Sequence, residues 1–284
     1  MDLLKNDVEH CRKINKKFGK GYYFATQFFN KDVKEATYVL YAFFRLPDEI
    51  VDNPKNNPHE ELNTYIKNWE DAIEKEKSNH SVLRATLAVH KKYQIPYQYS
   101  LDFLQAMNQD LEKERYTDFE DLKKYIYGSA TCVGYMMSYL IGFNKEEKEK
   151  VLKHAEELAI AMQMTNFLRD IKEDYVLRNR IYMPQDELSE FNISEIDIKQ
   201  RKVFKDFMKF QIQRCREYYK SAELNGIPLL DSKGRLPVLL ASKIYSEILT
   251  EIEKNDYDIF SKRVKVSFIR KLLITFDTIV GYGK

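Results

Sequence analysis

Apolar residues recur along almost the whole chain at the three- and four-residue spacing of one face of an α-helix. In HEELNTYIKNWEDAIEKEK, Leu62, Ile66, Trp69 and Ile73 form one stripe on an otherwise charged segment. SLDFLQAMNQDLEKE repeats the pattern with Leu101, Leu104, Met107 and Leu111. Similar stripes run through KEATYVLYAFF, EDLKKYIYGSATCVGYMMSYLIG, EEKEKVLKHAEELAIAMQMTNFLRDIKEDY and LPVLLASKIYSEILTEIEK. Breaks are predicted at DNPKNNP, YQIPY, IGFNK, RIYMP and NGIPLLDSKGRLP, where Pro, Gly and Asn interrupt the periodicity. No linker, repeat or low-complexity segment divides the pattern. The expected architecture is a single all-α domain over residues 1–284, with roughly ten or more helices.

Composition narrows this picture. Only 9 Gly and 7 Pro in 284 residues argue against a turn-rich β fold. Basic and acidic residues nearly balance at 46 to 44, so no electrostatic footprint for nucleic acid is present. Cys11, Cys132 and Cys215 are scattered and odd in number, which predicts neither a disulfide framework nor a CxxC metal site and suits a reducing, cytoplasmic compartment. The five histidines form no ligand motif. The N-terminal MDLLKNDVEH has no signal-peptide pattern, and apolar runs such as YVLYAFF are too short to span a membrane. The chain is therefore expected to be soluble, or at most to rest on a membrane surface.

Function must then lie on helix faces. In MTNFLRDIKEDYVLRNRIYMP, Asn166, Asp170 and Asp174 fall four residues apart and share one side of a helix. Acids at that spacing repel, and with 44 acids, roughly six or seven such pairs arise by chance, most of them plain surface. A second segment, YAFFRLPDEIVD, changes the reading. Asp48 and Asp52 are again four apart, with Arg45 one turn earlier and Tyr41 a turn before that. Two apolar helices that each carry an Asp-x-x-x-Asp row beside Arg are poorly explained as solvated faces. Facing each other, they would bring four carboxylates together and require cations. Oxygen donors without Cys or His suit Mg²⁺, which shares its coordination shell with water and phosphate. Such a site binds a diphosphate, with Arg adding charge-assisted hydrogen bonds.

These two segments resemble the first and second aspartate motifs of the squalene/phytoene synthases, the head-to-head prenyl synthases of the class I isoprenoid fold. The resemblance covers nearly the whole chain. ERYTDFEDLKKYIYGSATCVGYMM is similar to the family's central helix, and LPVLLASKIYSEILTEIEKNDYDIFSKRVKVSFIRKL to its C-terminal Tyr-bearing helix and basic tail. Asp-Glu-Ile-Val-Asp, the Tyr-Gly-Ser-Ala run from Tyr127 to Ala130, and Thr-Asn-Phe-Leu-Arg-Asp from Thr165 to Asp170 look most like the phytoene synthase branch.

The resemblance implies a helical bundle with a central active-site cavity, and two geranylgeranyl diphosphates condensed through a cyclopropyl diphosphate without NADPH. It implies Mg²⁺ ligands Asp48, Asp52, Asp170 and Asp174, joined by Asn166. Lys20, Arg45 and Arg263 are then diphosphate-binding candidates, and Arg180 supports the second motif. Tyr41, Tyr127 and Tyr245 are cavity tyrosines able to face a carbocation, although core packing explains such aromatics equally well. Gln163 and Asp110 match positions near the site, and Arg169 reads as a salt-bridge partner of Asp170.

The chain departs from the family pattern at Gly19 and Gly21, where serines usually flank Lys20, and at Pro47, which predicts a kink or a new helix start. It also has Glu49 as the second acid of the first motif. Two alternatives stand beside this reading: a dehydrosqualene or squalene synthase acting on farnesyl diphosphate, and a catalytically silent helical protein. An apolar product also suggests membrane contact, with SKRVKVSFIRKL as the candidate surface. Oligomeric state is not legible.

Overall fold

The computed structural model describes residues 3–194, 196 and 201–282. Thirteen α-helices account for most of them, and the described residues contain no β-strand, only isolated bridges at Arg115–Ile181 and Phe143–Leu230. The first three helices are α1 (Lys5–Phe18), the short α2 (Lys20–Thr26) and α3 (Lys31–Asp52). Asn30 starts α3 by accepting the Val33 N–H at 3.1 Å. α4 (Pro58–Glu74) begins with proline at its first position, behind Asn57 as cap. α5 (Ser81–Tyr93) ends on Gln94 in the left-handed region, and α6 (Tyr97–Gln109) follows. The predicted breaks at DNPKNNP and YQIPY therefore fall between helices.

α7 (Phe119–Ile126) and α8 (Cys132–Ile141) are one helical run interrupted by a π-helical turn over Tyr127–Thr131. Gly128 lies in this turn because α6 passes against it: a Cβ there would sit 2.6 Å from that of Ala106 and 2.8 Å from the Asp102 carbonyl oxygen. The long α9 (Lys148–Arg178) packs against α8, α11 (Arg201–Ser221) and α12 (Ser232–Lys254); α10 (Gln185–Glu190) is short and α13 (Phe268–Tyr282) closes the described chain. The predicted break NGIPLLDSKGRLP is too long at its C-terminal end. α12 already begins at Ser232 and continues through Pro237. Gly234 belongs to its first turns, where a Cβ would lie 2.1 Å from the Ile141 side chain, so glycine here serves close helix packing and not a turn.

The stripes face inward as expected. Leu62 and Trp69 are fully buried, Ile66 and Ile73 pack on the same core, and the Trp69 indole N–H donates to Ser100 at 3.0 Å. Phe43 packs edge-on against Trp69, with ring centroids 5.0 Å apart. All three cysteines are buried and unpaired.

Pro47 does not start a new helix; α3 runs through it to Asp52. Proline has no N–H to offer the carbonyl of Phe43, one turn earlier. Tyr65 from α4 donates its hydroxyl to that carbonyl at 3.2 Å. A tertiary donor thus replaces the missing helical one, and the first aspartate row stays in register with Arg45. Tyr65→Phe is expected to lower stability by about 1–2 kcal/mol in denaturant titration. In a Pro47→Ala background, which restores an N–H, the cost of Tyr65→Phe should shrink; equal costs in both backgrounds would rule out this compensation.

Candidate active site

α3 packs on α1, α4, α5, α6 and α8, whereas α9 packs on α8, α11 and α12. Side chains join the two aspartate rows. Asn179 adopts a left-handed φ of 53° just beyond α9 and turns the chain so that Arg178 and Arg180 both reach the first row. Arg178 Nε and Arg180 Nη1 each lie 3.1 Å from Asp52. Arg178 also approaches Asp174 at 3.3 Å, so a single guanidinium bridges the rows. Arg45 binds Asp48 and Glu49, three and four residues further along its own helix. Asp170 accepts a bidentate pair from Arg263 at 2.7 and 2.8 Å and a further bond from Arg169 at 2.9 Å.

These arginines do not serve all four carboxylates equally. Burial, and then the neighbouring Asp52, push Asp48 up to about 7 despite Arg45. Burial, followed by the charge of Asp170, pushes Asp174 up to about 7 as well. Burial also raises Asp170, but Arg169 and Arg263 more than offset it and leave that carboxyl below its ordinary value. Burial and neighbouring carboxylates thus hold Asp48 and Asp174 toward their protonated forms even with Arg45 and Arg178 beside them. Among the described residues no three His, Cys, Asp or Glu groups close on one point. The donor set nevertheless fits a hard divalent cation, because it consists of carboxylate oxygens and one amide. Asn166 points the same way: its amide N–H₂ donates weakly to Gln163 at 3.3 Å, while its buried Oδ1 has no partner.

Comparison with known proteins decides what this arrangement belongs to. The family profile described as squalene/phytoene synthase matches residues 15–270. The chain belongs to the squalene/phytoene synthase family. Among curated relatives, it is 36% identical over 282 residues to phytoene synthase 2, chloroplastic, of Solanum lycopersicum, covering 96% of this chain and 90% of the relative. It is 33% identical over 284 residues to the phytoene synthase of Arthrospira platensis, covering 94% and 91%. A crystal structure of a dehydrosqualene synthase with ligand superposes with a TM-score of 0.85 at 26% identity, covering 98% of this chain and 97% of that one. Squalene synthase HpnC from Alicyclobacillus acidocaldarius shares the fold at a TM-score of 0.79 and 22% identity, covering 89% and 95%. As a squalene/phytoene synthase, the protein is a prenyltransferase of isoprenoid and carotenoid biosynthesis with the family's all-helical fold.

Within this family member, the sequence-predicted residues fall into three groups. The aspartate rows, Arg45, Asn166, Gln163, Arg180 and Arg263 come together as described. Asp110 joins them from behind. It is buried, accepts the hydroxyls of Tyr125 at 2.5 Å and Tyr182 at 3.1 Å, and burial outweighs the nearby Arg180 charge to raise it to about 6. Tyr41 and Tyr245 form the second group through a residue that sequence reading missed. Tyr22 lies between them, with centroids 6.2 Å from Tyr41 and 5.1 Å from Tyr245. Gly19 makes room for this stack, since a Cβ there would sit 2.5 Å from the Tyr41 ring, whereas Gly21 faces open space. Lys20 is exposed at the first position of α2. Tyr127 stands apart: its hydroxyl donates to Asp102 at 2.9 Å, and its ring meets Tyr135. Arg178 was also missed, although its position four residues after Asp174 on a helix was a usable signal.

A pH dependence follows from the two raised carboxyls. Both hold protons more tightly folded than at the ordinary value of 3.8, so their contribution to metal-free stability is full below that value and is lost as pH rises through about 7. Magnesium should raise the melting temperature at about pH 8, where these groups are ionised, and have little effect near pH 5.5. A melting temperature indifferent to magnesium at the higher pH would contradict a cation-binding role.

Proposed function

We propose that the protein joins two molecules of geranylgeranyl diphosphate head to head, with magnesium, to give phytoene through a cyclopropyl (prephytoene) diphosphate. The observation that carries this reading is the pair of facing aspartate rows, bridged by Arg178 and partly buried with their carboxylates close together. Identity of 33–36% to named phytoene synthases supports the C20 substrate over the C15 one.

Asp48, Asp52, Asp170 and Asp174, with Asn166, would hold the magnesium ions, whose charge helps the diphosphate leave its allylic carbon. Arg45 and Arg263 are already turned toward this site through Asp48 and Asp170. Each can exchange a carboxylate for a diphosphate oxygen without losing a charge-assisted hydrogen bond. Lys20, exposed at the start of the short helix that carries Tyr22, is a further candidate cation. The first C–O bond breaks, the double bond of the second molecule attacks the allylic carbon, and proton loss closes the three-membered ring. Loss of the second diphosphate, ring rearrangement and a final proton loss complete the product. Since the last cation is quenched by losing a proton, no hydride donor such as NADPH is required.

The tyrosines suit this chemistry because they stay neutral. Burial raises the phenols of Tyr22 and Tyr41 above their ordinary value, so they present π faces and not phenolates that would trap a carbocation. Asp110, through Tyr182 and Arg180, sets the position of Asp52 from behind.

Purified protein with magnesium and geranylgeranyl diphosphate should release pyrophosphate and a C40 hydrocarbon, and NADPH should leave that product unchanged. A C30 product formed only from farnesyl diphosphate would move the assignment to dehydrosqualene or squalene synthesis. Asp170→Asn should reduce turnover by roughly 10²–10³-fold or more while helical circular dichroism is preserved. Full activity in that variant would remove the second row from the mechanism.

A further inference from the structure

α13 leaves most of its apolar side chains exposed, unlike an ordinary surface helix. Its contacts with α12 combine one ion pair with a small apolar cluster around Ile274. Arg270 donates to both carboxylate oxygens of Glu247, at 2.7 and 3.1 Å. A cleft of about 590 Å³, lined in part by Lys243, Glu247, Arg270 and Asp277, opens between the two helices. Ile274 alone among the apolar residues of α13 is buried, in a small cluster with Leu240 and Ile244. Meanwhile Ile269, Leu272, Leu273, Phe276 and Val280 recur at helical spacing and face outward, with Ile269 71% and Phe276 66% exposed. A helix at a water-facing surface turns such a stripe inward. A contiguous exposed apolar face of this kind marks an interaction surface.

Charge selects what covers it. Between Ser261 and Tyr282 the chain carries Lys262, Arg263, Lys265, Arg270 and Lys271 against the single acid Asp277. A second copy of the chain would bring the same basic segment against this one, and like charges oppose that pairing. An anionic lipid surface satisfies both features, with apolar side chains entering the acyl boundary and basic groups meeting the headgroups. No helix among the described residues is long and apolar enough to cross a membrane, so the contact lies in the plane of the interface.

We propose that α13 is an interfacial anchor that docks the protein onto an anionic bilayer. The segment leading into it is tied to the active site. Lys172 on α9 donates to the Phe260 carbonyl at 2.6 Å, and Arg263 holds Asp170. The anchor is thus continuous with the strap that braces the second aspartate row.

Flotation of the full chain with vesicles tests the proposal without any turnover measurement, so it stands or falls independently of the substrate assignment. The protein should float with equimolar phosphatidylcholine and phosphatidylglycerol, much less with phosphatidylcholine alone, and less as salt is raised. The triple variant Ile269→Ser, Leu273→Ser, Phe276→Ser should lower the bound fraction at least about tenfold while its thermal transition and helicity are retained. Lys262→Glu with Lys265→Glu, which leaves the apolar stripe intact, should weaken binding to the anionic vesicles. Absence of vesicle binding by the unaltered protein would overturn the proposal. So would a dimer in sedimentation that the triple serine variant dissociates, because the stripe would then belong to a second copy.

Discussion

Mutual repulsion among partly buried carboxylates is the constraint around which this molecule is organised. Asp48, Asp52, Asp170 and Asp174 come from two helices that both pack on α8 but otherwise have separate neighbours, and Asp110 stands close behind them. Removing such groups from water penalises their charged forms, and each additional carboxylate raises the penalty for the next. The fold responds in two ways. Asp52 and Asp170 each receive two arginine guanidiniums, whereas Asp48 and Asp174 retain raised proton affinities. A structure built only for stability would gain by replacing the whole group with apolar side chains. Keeping it accords with the cation and diphosphate binding proposed for this site.

The arginines connect that electrostatic problem to chemistry. A guanidinium that pairs with a carboxylate can present the same fork to a diphosphate, because both are planar or tetrahedral oxyanions with acceptors at matching separation. Arg45 and Arg263 approach from opposite ends of the chain, and Arg178 spans the two rows. Beside this charged region lie Tyr41, one turn from Arg45 on α3, and Tyr22, whose phenols burial raises above their ordinary value.

The C-terminal part of the chain extends the same logic outward. Arg263 reaches the second row from an extended strap, and a few residues later α13 lies on α12 through the Arg270–Glu247 pair and Ile274. Glu247, buried on α12, accepts Arg270 and also lies 3.4 Å from Lys254, so the docking surface of α12 is itself charged. That seat covers Ile274 with Leu240 and Ile244, and the remaining apolar stripe of α13 faces away from the domain.

Much of this was legible from residue order because helices are local. Stripes such as Leu62–Trp69, the breaks at DNPKNNP and YQIPY, and the two Asp-x-x-x-Asp rows depend on spacings within one segment, and the sequence alone determined them along with the all-α class. Other features depended on groups brought from elsewhere. Pro47 reads as a helix breaker until Tyr65, from the next helix, supplies the missing donor. GRLP reads as a loop until Gly234 is seen against Ile141. Tyr22 carries no motif of its own and becomes part of the site only because α2 lays it between Tyr41 and Tyr245. Which arginine meets which aspartate, and which side of α13 faces out, were decided only by tertiary structure. Electrostatic pairing and burial depend on distances between segments, and those distances exist only once the helices have packed.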